Sequence, residues 1–494
     1  MEAELIGRLA AVALAYATVA HAETRPHYGG TVDASLLGAP VSLDPVAVAS
    51  HAELTVTQLV FDNLYRLDGR GQPQPHLAEG PPVLDATQRV ATIAIRRGIA
   101  LHDGSLLSAQ DVAASLERAR TGQARLLLAQ LASVRATSDA VEITLRAPSA
   151  LLPTWLALPQ TAVTKHGKAP GERPVGSGPF AFEALDRTRR RLTLRAFELH
   201  FAGRPYLDRL TLHWFDTPDG EVRQFETGNV HLSSRGVAAF AGAQPKFRAA
   251  ETVAPPAILV FAGFGHAHAD VLGDRAFRRA LDHALVRDSL TPITSGEQVE
   301  PTREPVPAQA GGATLAPAGR AGDLVAAQAA LADAATRVRS LAPAQRARLK
   351  LEILVEDTRP DDREFAGRLV RALQKLGISA VISAVSASTH RDRIARGTTD
   401  LWIGQLASPI SSAQIWWSAA FAAGNDDWAA THAFDPAALR RAFAERLPIV
   451  PLVFRGIRLS HRTDVRGLVF DASARPCFAE VFLFGAPVTA KGKP

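Results

Sequence analysis

Two histidines and an aspartate crowd into one short stretch, His266-Ala267-His268 and Asp270, and these side-chain types hold zinc or nickel. Residues two apart in a loop need not face one point, so no third ligand is fixed by the spacing. The stretch reads as a solvated loop, and no metal is assigned to the chain. Asp361, Asp362 and Glu364 gather three carboxylates within four residues, as acid–base chemistry would need. At the start of a predicted helix they favour its dipole and require no chemistry. Trp416 and Trp417 offer indole faces that could stack on a ring or line an apolar pocket. Neighbours on a helix point to different sides, so one of the two belongs to the core, and Trp416 stands as the candidate for ligand contact.

Catalysis finds no foothold. The chain has no Gly-x-Ser-x-Gly elbow, no His-Glu-x-x-His pair and no nucleophile tied by spacing to a base. The turn Pro174-Val175-Gly176-Ser177-Gly178-Pro179 lacks the Lys-Ser/Thr and the following helix of a phosphate-cradling loop. These absences describe a protein that binds and is not an enzyme, with no cofactor.

The elements that must position these side chains alternate between strand and helix. An extended segment opens at Tyr28 and ends at Ser42-Leu43-Asp44-Pro45, where proline keeps the preceding residue out of the helical region. Residues 51–67 show helical spacing, with Leu54, Gln58 and Phe61 to Leu64 on one side. Ser108, with Asp111 three residues on, predicts a capped helix running through Arg118. Residues 90–96, 141–146, 191–196 and 209–215 alternate as strands. After Pro255-Pro256, a strand over 257–262 leads into a helix over 274–285, and the Pro/Gly/Ala-rich residues 291–322 read as an extended surface loop. Residues 349–355, 361–375, 378–385, 389–395 and 400–406 then read strand, helix, strand, helix, strand, an α/β layer with parallel strands.

Composition sets the bounds. The 494 residues are 47% hydrophobic and 21% charged, a soluble balance able to bury large cores. The length suits about three domains. Cys477 is the single cysteine, so intramolecular disulfides and cysteine metal clusters drop out. The net charge of +6 is mild, and its densest basic run, Arg187 to Arg191, reads as the solvated approach to a strand. No nucleic-acid partner is expected. Residues 9–20 form an apolar stretch too short to span a bilayer, and Ala20-His21-Ala22 follows as a cleavage site. Residues 1–22 therefore read as a signal peptide, although Arg8 is the only basic residue before the stretch. No cysteine follows for a lipid anchor and no later segment is a transmembrane candidate, so a periplasmic protein free in solution is expected.

The order of landmarks along the chain resembles the extracellular solute-binding proteins of family 5, the periplasmic oligopeptide-, dipeptide- and nickel-binding components of ABC importers. The residues that carry the likeness include Gly29-Gly30-Thr31, Ser42-Leu43-Asp44-Pro45, Phe61-Asp62-Asn63-Leu64 and Pro75-His76-Leu77-Ala78-Glu79. Leu101-His102-Asp103-Gly104, Pro174 to Phe180, Gly203-Arg204-Pro205-Tyr206 and Phe225-Glu226-Thr227-Gly228 continue the series. Phe277 to Ala284 and Leu447-Pro448-Ile449-Val450-Pro451-Leu452 complete it.

The resemblance implies an α/β, two-lobed periplasmic-binding-protein fold (type II, cluster C) with an extra domain inserted in the first lobe. Residues 23–46, 170–255 and 455–494 would form the core of lobe I, 47–169 the extra domain, and 256–454 a lobe II shortened near 411–445. It also implies hinge closure on a ligand, with Ala39 and Val41 offering main-chain groups and Trp402 beside the pocket. In peptide-binding relatives a Trp-x-x-Asp-like motif receives the α-ammonium, and here the motif reads Trp402-Ile403-Gly404-Gln405. A buried ammonium facing an amide instead of a carboxylate loses about 3–5 kcal/mol. Dipeptide binders hold the ligand carboxylate with an arginine after the strand matching 349–355, where this chain has Glu356, with Arg359 the nearest basic residue. Asn425 matches an asparagine whose amide bonds a ligand backbone. The expected function is capture of a peptide-like or other small polar organic ligand by a monomer that delivers it to ABC permease subunits in the inner membrane. The alternative is a ligand-sensing or degenerate interaction protein of the same fold with no transport role.

Overall fold

The computed structural model describes residues 26–234, 248–254, 256–288, 299–407, 412–432, 435–471 and 474–484. The expected signal peptide and its cleavage site lie outside the described residues, as do Ser411 and part of the expected 291–322 loop.

Two large sheets organise the chain. The first has seven strands, β1 (Thr31–Ser35), β8 (Phe180–Asp186), β9 (Arg191–Ala196), β10 (Arg209–His213), β11 (Leu232–Ser233), β12 (Ala249–Val253) and β19 (Arg458–Arg462). Their order is β12-β19-β11-β1-β10-β9-β8. The second comprises β13 (Ile258–Phe264), β14 (Val299–Pro301), β15 (Lys350–Glu356), β16 (Ser379–Val385), β17 (Leu401–Ala407) and β18 (Ile449–Arg455), in the order β14-β18-β13-β17-β15-β16. β18 is buried along its whole length and β13 along nearly all of it, as continuous apolar runs in central strands require. The expectation of a two-lobed α/β fold is met, each sheet with its own apolar core.

The second sheet is mixed: the strands expected over 349–355, 378–385 and 400–406 do run parallel, and β13, beside them, runs the other way. β15 runs parallel to β16 and β17 through the crossover helices α5 (Pro360–Lys375) and α6 (Ala387–Ala395), whereas β13 is antiparallel to both its neighbours. The cause is the passage between sheets: β12 continues into β13, and β18 continues into β19. Ala254 N–H donates to Ile457 O at 2.8 Å and Ala257 N–H to Arg455 O at 3.2 Å, so the two crossings run side by side as a hydrogen-bonded pair.

A smaller antiparallel sheet, β4 (Val83–Leu84), β5 (Val90–Ala94), β6 (Leu131–Ala136) and β7 (Ala140–Leu145), packs on α2 (Ala109–Thr121) around Ile93, Leu116 and Ile143. The predicted capping box is present, with Asp111 N–H donating to Ser108 Oγ at 3.2 Å and Ser108 N–H to Asp111 Oδ2 at 2.9 Å. The helix expected over 51–67 is shorter. It is α1 (His51–Val60), after which β2 (Tyr65–Leu67) pairs with β3 (Pro73–Pro75). The carbonyl that would carry the next turn is occupied, because Gly178 N–H donates to Val60 O at 3.0 Å. Gly176 and Gly178 lie so close to Val60 that a methyl on either would overlap its backbone.

Candidate functional site

Strand ends and a helix start meet where the sheets face each other. Glu356 ends β15, Arg455 ends β18, and Gln405 lies near the end of β17. These three strands run in one direction, so their carboxyl ends share an edge, the usual place for ligands in open α/β sheets. α5 starts at the same edge with Pro360 in its first turn, which puts Asp361 and Asp362 at its N-terminus.

All seven polar side chains there, Thr358 and Arg359 included, are buried. Arg359 lies 3.0 Å from Glu356 Oε2 and 3.1 Å from Asp362 Oδ2, and Arg455 lies 3.2 Å from Asp361 Oδ2. Gln405 Nε2 donates to Asp362 Oδ1 at 3.4 Å, and Thr358 Oγ1 donates to Glu356. The close approach of Arg359 Nε and Asp362 Oδ2 is an ion pair without hydrogen-bond alignment. Those two atoms and Gln405 Oε1 are therefore buried with no hydrogen bond. Burial pushes the Asp362 carboxyl up to about 6; Arg359 opposes this, and Glu356 adds to it. Arg359 is held above its ordinary range, because its burial is outweighed by Asp362 and Glu356.

The first lobe closes over this cluster. Gly38, at φ +98° in the loop after β1, sits so that an added Cβ would be 3.3 Å from Glu356 Oε1 and 3.6 Å from Arg359 Cγ. On α1, buried Glu53 accepts from Ser42 N–H at 2.8 Å and Ala49 N–H at 2.9 Å, and it takes the guanidinium of Arg391 from α6 across the cleft. A cavity of about 50 Å³ lies beside these contacts, lined by Ser50, His51, Leu54, Ile258, Gln405 and Ala407. With Gly38 against Glu356 and Glu53 paired with Arg391, the lobes are in contact and the conformation is closed. His51 is pushed down to about 4 by burial and is neutral at the cavity wall.

The structure brings together some of the expected site residues. Glu356 and Gln405 lie in the charged cluster, Ala39 follows the glycine that touches it, and Val41 precedes the amide held by Glu53. Trp402 projects from the face of β17 opposite Gln405. Its half-buried indole meets Phe261 edge-on at 5.1 Å and His390 at 6.3 Å.

Two candidates lie outside this cluster. Trp416 is fully buried against Phe454 at 5.4 Å, and Trp417 is buried in the same core. Asn425 is an exposed left-handed turn residue (φ 50°) whose N–H donates to Ala422 O, the conformation asparagine tolerates. His266, His268 and Asp270 do not converge, since His268 pairs with Asp400 at 2.6 Å and Asp270 accepts from Ser340 at 2.8 Å.

Sequence reasoning missed the roles of Asp361, Asp362, Arg455, Glu53 and Arg391. The available signal was the doubled aspartate one turn from the strand end, which the helix dipole explained away.

Two α/β lobes joined by paired crossings, closed on a buried set of opposite charges, define the two-lobed periplasmic-binding-protein fold. The chain belongs to the bacterial extracellular solute-binding proteins, family 5, whose middle region matches residues 72–427. The glutathione-binding protein GsiB of Salmonella choleraesuis is 28% identical over 280 residues, 54% of each chain. The chain thus aligns with about half the length of such curated relatives. Among solved structures, the ABC transporter-associated periplasmic binding protein DppA from Helicobacter pylori, in complex with peptide STSA, superposes with a TM-score of 0.77 at 18% identity. That match covers 93% of this chain and 99% of DppA. AgaA from A. tumefaciens R10, in complex with agropinic acid, gives 0.72 at 20% identity over 92% of this chain and 99% of its own.

Proposed function

We propose that this chain is the solute-binding protein of an ABC importer, capturing a peptide-like or other small polar organic ligand that carries both an amine and a carboxylate. The observation behind the proposal is the group of buried polar atoms without hydrogen bonds, Arg359 Nε, Asp362 Oδ2 and Gln405 Oε1, at the strand ends where the lobes meet. Buried polar atoms are nearly always bonded, and a zwitterion supplies what these lack: an ammonium for Asp362 and Gln405, and a carboxylate for Arg359. Asp362 stands in for the acid absent from Trp402-Ile403-Gly404-Gln405, offered from the neighbouring helix at hydrogen-bond distance from Gln405. The glutathione, peptide and agropinic acid named for the relatives are solutes of this polar kind.

Capture works by closure, because only the closed form touches the solute from both lobes. Residues 23–46, 170–255 and 455–494 serve in this reading as lobe I with 47–169 as its extra domain, and 256–454 as lobe II. Export through the 1–22 signal peptide, life as a periplasmic monomer and delivery to inner-membrane permease subunits complete it. Among the described residues, no helix is long and apolar enough to cross a membrane.

A second reading, a degenerate member that takes up no solute, has one observation in its favour: the lobes already meet through their own groups, Arg391 on Glu53 and Gly38 against Glu356. A thermal-shift screen against di- to pentapeptides, opines, sugars, amines and nickel separates the two. A solute at a hundred times its dissociation constant adds about 2.7 kcal/mol. A shift confined to amine-bearing solutes and abolished by Asp362→Asn supports capture; no shift with any class supports the degenerate member.

A further inference from the structure

Away from the cleft, a second polar cluster joins three segments of the first lobe. Asp62 follows α1, His76 follows β3, and His200 lies in the turn after β9. One ligand atom from each lies within 4.8 Å of the others. Asp62 Oδ1 is 2.9 Å from His76 Nε2, and Asp62 Oδ2 is 3.7 Å from His200 Nε2. The side chains of Asp62 and His200 are more than nine-tenths buried, and that of His76 is nearly so. Phe201 covers both imidazoles, with centroids 4.8 Å from His76 and 5.0 Å from His200.

The geometry around His200 is what an isolated hydrogen-bond network does not explain. Its Nδ1 is 2.9 Å from Gly203 O, a carbonyl that can only accept, so Nδ1 carries a proton. Its Nε2 faces Asp62 Oδ2 at 3.7 Å, too far for a hydrogen bond, and is buried without a partner. A proton on Nε2 leaves that gap unbridged, whereas a cation between the three converging groups spans it. The surroundings have the form of a metal's outer shell. The Gly203 carbonyl fixes the tautomer and orientation of His200, and Ser177 Oγ donates to Asp62 Oδ2 at 2.8 Å. His102, the nearby third histidine, is committed elsewhere, to Gly178 O and Gly176 N.

We propose that Asp62, His76 and His200 bind one divalent transition metal of the zinc type, with a fourth position for water. Bonds of about 2.0–2.2 Å place tetrahedral ligand atoms roughly 3.3–3.5 Å apart, so the three groups reach a shared ion by shifts of under about 1 Å. The metal ties the end of α1, the β3 exit and the β9 turn into one rigid unit, and its role is structural. The inference is independent of which solute the cleft takes.

The test uses the whole protein, purified without a polyhistidine tag and stripped with a chelator, with cobalt(II) as a visible probe and zinc as competitor. The expected result is one cobalt per chain with the intense visible absorption of a four-coordinate site, displaced by zinc, and a melting midpoint that rises on adding zinc. His200→Gln and His76→Gln each weaken cobalt binding at least tenfold, while His266→Gln, at the exposed histidine of the 266–270 stretch, leaves it unchanged. Absence of the band in the wild-type protein overturns the proposal without recourse to any variant. So does a band that His200→Gln retains.

Discussion

Asp362 is a buried acid whose carboxyl is pushed up to about 6 by its burial. Its folded pKa lies above the ordinary 3.8, so its protonated form stabilises the fold below that value, and the benefit is lost as pH rises through about 6. A solute ammonium reverses the preference, because it needs the ionised carboxylate. Affinity for an amine-bearing solute should therefore be level above pH 7 and weaken about tenfold per unit below pH 6, measured by calorimetry between pH 8 and 5. Asp362→Asn should flatten that profile and cost at least tenfold in affinity at pH 7.5. Adding Gln405→Asp to it returns a carboxylate at the same spot and should recover part of the loss; a double variant no better than the single would show that Asp362 does not receive the amine. Gly263→Ala probes packing instead, since a methyl there overlaps the Trp402 indole, and it should lower stability in urea by about 2–3 kcal/mol. The sequence pointed to Gln405 and Glu356 because strand ends are legible from pattern and family likeness. It did not reveal Asp361, Asp362 and Arg455 as a cleft cluster, since the helix dipole already accounts for acids at a helix start and Arg455 arrives from a strand ninety-four positions away.

At the scale of elements, closure is visible in one side chain that leaves its own lobe. Ile415 lies on α7 (Ala413–Ala423), the helix whose Trp416, Trp417 and Phe421 pack in the second lobe, yet it is fully buried in the core that surrounds β5, β7 and α2. Opening must withdraw it into water, so it acts as an apolar latch. Ile415→Ser should speed amide exchange along α7 and at the start of α2 while the strands of the second sheet keep their protection. Uniformly faster exchange in both lobes would instead mean that Ile415 is ordinary core. Such a contact is illegible from periodicity, which marks Ile415 as apolar but cannot say which core receives it. The early end of α1 has the same origin, since 51–67 keeps helical spacing until Gly178, over a hundred residues later, takes the carbonyl of Val60. Where local chemistry decides, as in the Ser108–Asp111 capping box, the sequence and the structure agree.

For the molecule as a whole, the two crossings decide how closure converts into affinity. The paired backbone at Ala254–Ile457 and Ala257–Arg455 permits bending about one line, and Arg455 reaches from that line to Asp361 in the cleft. The Glu53–Arg391 pair adds a charged tie between α1 and α6, with Glu53 fully buried and Arg391 partly exposed. In the ligand-free protein the closed population rests on that tie, on the Ile415 latch and on the Gly38 contact; when solute is bound, it rests on the solute as well. Measured affinity is the intrinsic value scaled by the closed fraction, so weakening closure should weaken binding without touching the ligand. Arg391→Ala is the cleanest way to do this. It should enlarge the ligand-free radius of gyration in solution scattering, leave the ligand-saturated radius at the wild-type value, and raise the dissociation constant by up to roughly tenfold. Equal radii for variant and wild type in both states would mean that the lobes are held together by packing alone. In that case the charged cleft would be a fixed internal network, and the degenerate reading would gain over capture.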